Sequence, residues 1–348
     1  MHQSLSGSGV KPVLMIPLRR CGSHAIRLRL NRSPDFYSPY PLHLVDFLPL
    51  VPLYGDLGDD RAYFRLVLDM IGLQRHSLVP WDGVTFEPAA LFDDIKHLPR
   101  SVHRVAWAML SRAAAHHGAR VAMDKSLDTV HEAEALIDAV PDMLFVNVVR
   151  DPRAQVASMN RAIIHDFDTT LNALTWVRAQ QAAARLEARL PQRVLTVTYE
   201  AFLADEVAVL RRICDFIGIA FLPDMIEIGS STEAKRIAGL SALWSSNAER
   251  PNHAHRDKFR TQLLPDEIEM IETLAAAEMR RFGYEPVTRA SAALPDAADL
   301  AACRARSEAG RARAWERLSQ EDPRDYAIRQ MRARFLDSVR ASLVPVAA

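Results

Sequence analysis

Two stretches of this chain share one pattern, and that pattern limits the folds open to it. The first runs Val13-Leu14-Met15-Ile16-Pro17-Leu18-Arg19-Arg20-Cys21-Gly22-Ser23-His24-Ala25-Ile26. The second runs Leu144-Phe145-Val146-Asn147-Val148-Val149-Arg150-Asp151-Pro152-Arg153-Ala154-Gln155-Val156-Ala157-Ser158-Met159. Each is a short apolar run, too short for a buried helix, followed by a basic turn and a helical pattern. Valine-rich runs of this length suit strands buried on both faces. Similar runs lie at Arg120–Met123 and Val194–Thr198. Helical periodicity follows over Ser23–Asn31, Asp60–Gly72, Pro99–His117, Asp128–Val140, Pro152–Ile163, Thr169–Leu190, Glu200–Ile217 and Pro265–Phe282. Strands alternating with helices predict an α/β fold: a central parallel sheet covered by helices on both faces.

A strand that enters a helix through a tight turn makes an anion site. The first N–H groups of the helix have no internal partner, and the helix dipole favours negative charge there. At the first junction Gly22 sits in the turn, and Arg19 and Arg20 add fixed positive charge. This is not the nucleoside-triphosphatase loop, which needs a lysine directly after its last glycine; here Ser23 and His24 follow. At the second junction Asp151 is a good N-cap and Pro152 a good first helical residue. Arg150 stands at the strand's C-terminal edge, where open α/β sheets bind ligands, and Ser158 lies two turns into the helix.

The pair Arg-Arg-Cys-Gly-Ser-His and Val-Val-Arg-Asp-Pro-Arg-Ala-Gln-Val-Ala-Ser-Met resembles the two nucleotide-binding motifs of sulfotransferases that use 3′-phosphoadenosine 5′-phosphosulfate (PAPS). Met123-Asp124-Lys125-Ser126 looks like the Asp-Lys-Thr-Pro element of the bacterial and carbohydrate branches. Val197-Thr198-Tyr199-Glu200-Ala201-Phe202-Leu203 is similar to the family's Tyr-Glu-Asp-Leu. The departures are Cys21 for a usual serine, His24 for threonine or serine, Ala154 for a common aspartate, and Ser126-Leu127 for Thr-Pro. They mark a divergent, bacterial-type soluble member. The resemblance implies a P-loop-nucleotide-kinase-like three-layer fold and sulfuryl transfer from PAPS to a hydroxyl or amine of a small-molecule, lipid or carbohydrate acceptor. The competing readings are an ATP-dependent small-molecule kinase on a related core and a non-catalytic nucleotide-binding scaffold. The kinase reading lacks its lysine after Gly22, and the scaffold reading leaves Arg20, Lys125, Arg150 and Ser158 together unexplained.

Roles follow by the same resemblance. Arg20 and the turn Cys21, Gly22, Ser23, His24 hold the 5′-phosphosulfate, with Arg19 beside them. Arg150 and Ser158 hold the 3′-phosphate; an arginine suits this because its planar, permanent charge binds phosphate two-pronged. Lys125 reaches the bridging oxygen, and Asp124 either orients it or caps the following helix. Tyr199 either contacts the adenine or simply packs. Arg256, Lys258 and Arg260 look like the family's late basic element, which closes over the nucleotide. The acceptor's proton needs a base. The glutamate common in carbohydrate and tyrosyl branches is missing from the loop after the first helix, so His43, whose ordinary pKa is near neutral, is the first candidate; Asp46 and Asp35 follow. His253 and His255 have ligand-like spacing but no third partner nearby, and read as loop residues. No metal site is expected.

Lysine plus arginine and aspartate plus glutamate balance at 43 each, so net charge gives no support to a nucleic-acid or membrane-surface partner. Cys21, Cys214 and Cys303 are widely spaced, which argues against a disulfide framework and for a reducing compartment. Met1 to Lys11 has no apolar signal core, and no run of roughly 18 uncharged apolar residues appears; the expectation is a cytoplasmic protein without a membrane span. The reading of domains is a sulfotransferase-like α/β unit over 1–286, with irregular acceptor-binding loops at 32–58 and 230–260, and a helical extension over 287–348. Its helices fall at Ala297–Glu321 and Pro323–Ser342; they either pack on the core or pair with a second copy as a homodimer. Arg304 to Arg313 reads as a solvated helix face.

Overall fold

The computed structural model describes residues 9–17, 19–241, 244–245 and 256–344. Five strands, β1 (Lys11–Pro17), β2 (Phe36–Tyr37), β3 (Val121–Asp124), β4 (Leu144–Val149) and β5 (Val194–Thr198), form one sheet in the order β2-β3-β1-β4-β5. Every neighbouring pair is parallel, with Val13 opposite both Met123 and Leu144, and Phe145 opposite Val194. β1 is therefore central. Its side chains alternate between two cores: Leu14 and Ile16 face one, Val13 and Met15 the other. β4 does the same with Phe145 and Val149 against Val146 and Val148. This alternation buries both faces of a run that reads as almost continuously apolar.

The helices are, in chain order, α1 (Ser23–Leu30), α2 (Asp60–Arg75), α3 (Pro88–Ile95), α4 (Val102–His116), α5 (Ala133–Ala139), α6 (Pro152–Met159), α7 (Thr169–Arg189), α8 (Tyr199–Ala204) and α9 (Glu206–Ile217). Then come α10 (Thr232–Ala238), α11 (Phe259–Gln262), α12 (Pro265–Leu274), α13 (Ala276–Phe282), α14 (Ala297–Glu321) and α15 (Pro323–Leu343). The two faces of the sheet carry helices: α2, α4 and α7 contribute to one core, α1, α8 and α9 to the other. The fold is the expected three-layer α/β sandwich with a helical C-terminal region.

Caps explain where boundaries differ from the sequence reading. The helix expected from Pro99 begins at Val102, because Ser101 Oγ accepts from the Arg104 amide at 3.0 Å. The expected Glu200–Ile217 helix is two: Asp205 breaks it and caps the second half, accepting from the Ala208 amide at 2.9 Å. The helix after β4 stops at Met159 rather than Ile163; Asn160 turns aside to bond Thr169 Oγ1 at 2.7 Å and Asn172 at 2.8 Å. α10 lies where irregular chain was expected and α3 where no element was assigned, each capped by a side chain, Ser231 and Glu87.

The C-terminal helices pack back on the core. A Cβ on Gly310 would stand 2.5 Å from Phe167 Cβ, so α14 lies directly against the 160s loop. There Ser307 Oγ accepts from the Phe167 amide at 3.1 Å and donates to Asp166 at 2.9 Å. At α15, Phe335 fills the notch at Gly72 of α2, where a Cβ would come within 2.7 Å of its ring, and stacks on His76 at 4.5 Å. All three cysteines are buried and free. Among the described residues no helix is long and apolar enough to cross a membrane, and no group of three metal-ligating side chains is gathered.

Candidate active site

The loops that follow β1, β3, β4 and β5 converge at the C-terminal edge of the sheet, the edge where parallel sheets expose helix N-termini and loop amides. They open on a cavity of about 1050 Å³. Among the described residues its wall holds ten arginines and lysines and one carboxylate, Asp46. A chain of zero formal net charge thus concentrates cations at one place.

The turn after β1 is built by two left-handed residues, Arg20 (φ +69) and Gly22 (φ +85). Gly22 caps α1 by its backbone alone. It cannot carry a side chain, because a Cβ would stand 2.2 Å from Tyr199 Cδ2. Tyr199 is thereby pressed against the turn, and the Arg150 guanidinium lies over its ring, 5.0 Å from the centroid. Arg150 Nη1 donates to the Arg20 carbonyl at 2.9 Å, and Arg20 Nε donates to Ser158 Oγ at 3.0 Å. Gln155 Nε2 holds the Arg19 carbonyl at 3.1 Å. The two junctions singled out in the sequence are therefore knitted into one wall. Burial, and then the neighbouring Arg150, push the Arg20 guanidinium below its ordinary value. Two like charges side by side make this wall locally positive.

Lys125 is 2 % exposed, and no hydrogen bond or ion pair engages its ammonium among the described residues. Burial pushes it down to about 8. Asp124 does not orient that ammonium. Its carboxylate accepts from the amides of Lys125 and Ser126, at 2.8 and 3.1 Å, and from Ser126 Oγ at 2.9 Å, so it closes the turn.

Other expected residues separate. Ser23, His24, Arg150, Ser158, Tyr199 and Lys258 line the cavity. Cys21 is fully buried and not on its wall, and burial pushes its thiol up. Arg19 lines the wall, but its head group donates to the Ile164 carbonyl and pairs with Asp128, whose carboxylate offsets its charge. Arg260 is not on the wall; it pairs with Asp257 at 3.5 Å and covers Phe259. Arg256 is exposed and also off the wall. His253 and His255 lie outside the described residues.

Of the base candidates, Asp35 is out of place: its carbonyl accepts from the Arg120 and Val121 amides and its carboxylate pairs with Arg120, at the opposite edge of the sheet. His43 and Asp46 line the cavity. His43 Nε2 lies 3.1 Å from Tyr40 Oη, and its Nδ1 is buried without a hydrogen-bond partner. Burial, then the charge of Arg332, hold this imidazole well below the usual histidine value, so it is neutral. Asp46 is tied to Arg332 at 3.2 Å.

Apart from Arg311 of α14, the far wall comes from residues the sequence did not single out: Trp244, Trp315 of α14, and Arg329, Arg332, Ala333 and Leu336 of α15. Arg311, read as part of a solvated face, is largely exposed but borders the cavity. Arginines recur so densely from residue 304 to 340 that spacing alone could not show which two, Arg329 and Arg332, are buried.

Residues 12–224 match the description of the Sulfotransferase family. The chain belongs to this family. It is a sulfotransferase, an enzyme of sulfuryl transfer, and the match covers every strand, save Lys11 at the start of β1, and all four strand-end loops while stopping short of α14 and α15. The sulfotransferase domain of the Synechococcus PCC 7002 olefin synthase is similar in fold, with a TM-score of 0.52 at 22% identity over 79% of this chain and 98% of that one. A sulfotransferase domain of the curacin biosynthetic pathway gives 0.49 at 18% identity, over 79% and 98%. Sulfotransferase STF9 from Mycobacterium avium gives 0.45 at 16% identity, over 80% and 79%. No curated protein sequence matches the chain.

Proposed function

We propose that this sulfotransferase takes its sulfuryl group from PAPS and gives it to a hydroxyl or amine of a small-molecule, lipid or carbohydrate acceptor. The observation that carries this reading is the meeting of Arg20, Lys125, Arg150 and Ser158, from three separate strand ends, on one cavity wall. The donor set fits the group: a glycine cradle that admits no Cβ, crowded guanidinium groups, and a buried ammonium with no partner of its own among the described residues.

When bound, PAPS supplies an activated sulfuryl group whose S–O bond to the 5′-phosphate breaks as the acceptor atom bonds sulfur. Arg20 and the Gly22–His24 amides hold the 5′ end, and Arg150 with Ser158 holds the 3′-phosphate. Tyr199 braces the turn and Lys258 closes from the rim. Lys125 meets the negative charge that grows on the leaving oxygen; a pre-placed buried cation is worth more there than in water. His43, neutral and tied to Tyr40, takes the acceptor's proton.

Calorimetry with 3′,5′-adenosine bisphosphate and AMP, without magnesium, tests the reading. The bisphosphate binds more tightly, and Arg150→Ala removes most of that preference, about 10- to 100-fold for a lost hydrogen bond to a charged group. Equal affinity for the two nucleotides in the unaltered protein refutes the assignment, and magnesium-dependent ATP binding in their place marks a kinase.

A further inference from the structure

Among the described residues, His43 is held by its own loop at two points only: the Asp46 amide donates to its carbonyl at 3.1 Å, and its Nε2 lies 3.1 Å from Tyr40 Oη. Its backbone is left-handed, φ +52, a conformation that residues with a Cβ disfavour. It begins the short 3-10 turn Leu44–Asp46 with no side-chain cap. A further restraint arrives from the C-terminal helix. Arg332 Nη2 donates to the Leu42 carbonyl at 2.8 Å and the His43 carbonyl at 3.2 Å. Nη2 and Nε both reach Asp46 Oδ2, at 3.2 and 3.3 Å. The Arg332 side chain is 7% exposed, and α15 is itself fixed on α2 by Phe335 in the Gly72 notch. One guanidinium therefore ties both carbonyls and the carboxylate of a single turn, a task for a planar fork of donors rather than for a point charge.

We propose that Arg332 is a positioning residue for sulfuryl transfer: from outside the family-matched segment, it clamps the Leu42–Asp46 turn and so fixes the imidazole that takes the acceptor's proton. The proposal rests on His43 being that proton acceptor.

Two effects of Arg332 can be separated. One is geometric, the fork that sets the turn. The other is electrostatic. His43 is faced by Arg332 and Arg329 on α15, Lys125 after β3, Arg19 after β1 and His24 on α1, with Tyr40 and Asp46 on its own loop. Arg332 is the strongest of these cations on it. Removing that charge eases protonation of the imidazole, so the acid limb of activity moves to higher pH. Arg332→Lys keeps the charge and loses the fork. Arg332→Gln keeps two donors and loses the charge.

The test uses the full chain with 15N-labelled histidine. Long-range 1H–15N spectra are recorded across pH, and the His43 signals are identified by their loss in His43→Gln. The same variants are assayed for transfer from PAPS to a panel of phenols, alcohols and amino sugars, with thermal melting to confirm folding. In the unaltered protein His43 shows one neutral tautomer through the ordinary histidine range. Arg332→Gln titrates at higher pH, in the spectra and in the acid limb of kcat. Arg332→Lys holds the low titration point but mixes tautomers, and its kcat falls by about 100-fold, as a misplacement of ~1 Å costs, with affinity for 3′,5′-adenosine bisphosphate unchanged. Folded Arg332 variants with His43 signals and kcat like the unaltered protein overturn the clamp while leaving the base assignment intact. A His43→Gln variant with full kcat overturns the base assignment, and the proposal with it, whatever the Arg332 spectra show.

Discussion

Gly22→Ala is the sharpest perturbation of the nucleotide cradle, because the structure separates its cost into two parts. The first is backbone: φ +85 at Gly22 is left-handed, and a residue with a Cβ pays roughly 1–2 kcal/mol to adopt it. The second is steric. The new Cβ stands 2.2 and 2.3 Å from Tyr199 Cδ2 and Cε2, so the ring must move, and forced overpacking costs about 1–3 kcal/mol. Together the substitution lowers unfolding stability by about 2–5 kcal/mol. The movement also pulls Tyr199 from under the Arg150 guanidinium, so nucleotide affinity falls as well. A double-mutant cycle with Tyr199→Ala isolates the steric part. Urea unfolding of the four proteins should show Gly22→Ala costing only the backbone part, about 1–2 kcal/mol, where residue 199 is alanine. The same cost in both backgrounds would mean that Tyr199 does not press on the turn, and the account of how the β1 and β5 loops join would be wrong.

Two further expectations follow from buried charge. Lys125 is pushed down to about 8 by burial and acts as a cation, so kcat should fall as pH rises through that value; Lys125→Arg should carry the alkaline limb beyond it, and Lys125→Ala should lower kcat far more than nucleotide affinity. Arg153 Nη1 meets Glu272 Oε1 at 2.6 Å with both side chains buried, while its Nε and Nη2 meet Asp151 at 3.0 and 2.6 Å; Glu272→Gln, which leaves Asp151 as the remaining carboxylate, should destabilise the fold by about 1–3 kcal/mol. Burial works against the Glu272 carboxylate, but Thr288, the Val287 and Thr288 amides and Arg153 outweigh it and hold it below its ordinary value. A group depressed in this way stabilises the fold above its unfolded pKa and loses that contribution as pH falls through its folded pKa. The stability gap between Glu272→Gln and the unaltered protein should therefore close in acid, which unfolding curves at several pH values will show.

What was legible in the sequence is what local chemistry determines. β4 and the helix after it were readable because a valine run, Asp151 at the cap and Pro152 at the first helical position sit side by side; Asp151 does accept from the Arg153 amide at 2.9 Å. β2 was not readable, since two residues paired only with Val121 and Ala122 carry no periodicity. Asp35 shows the limit for single side chains. It stands in the same loop as His43, but the chain turns between them, and only the fold shows that one faces Arg120 and the other the cavity. The far wall was the least visible of all. Trp315, Arg332 and Leu336 belong to helices whose exposed faces carry the same arginines as their buried ones, and which residue turns inward depends on partners elsewhere in the chain: the notch at Gly72 that takes Phe335, and Phe167, which meets Gly310.

The bond from Arg332 to the Leu42 carbonyl spans 290 positions, and that span bears on timing. Closing so long a loop costs chain entropy that is recovered only once both ends have surfaces to meet on. α2 must already stand before Phe335 can seat in its notch, and α15 must be seated before Arg332 can reach the turn at His43. The anion cradle closes shorter spans, 130 positions from Arg150 to the Arg20 carbonyl and 138 from Arg20 to Ser158, and its parts lie on adjacent strands of the sheet. The wall that α15 lends to the cavity therefore depends on a helix, α2, that lies more than two hundred positions earlier in the chain.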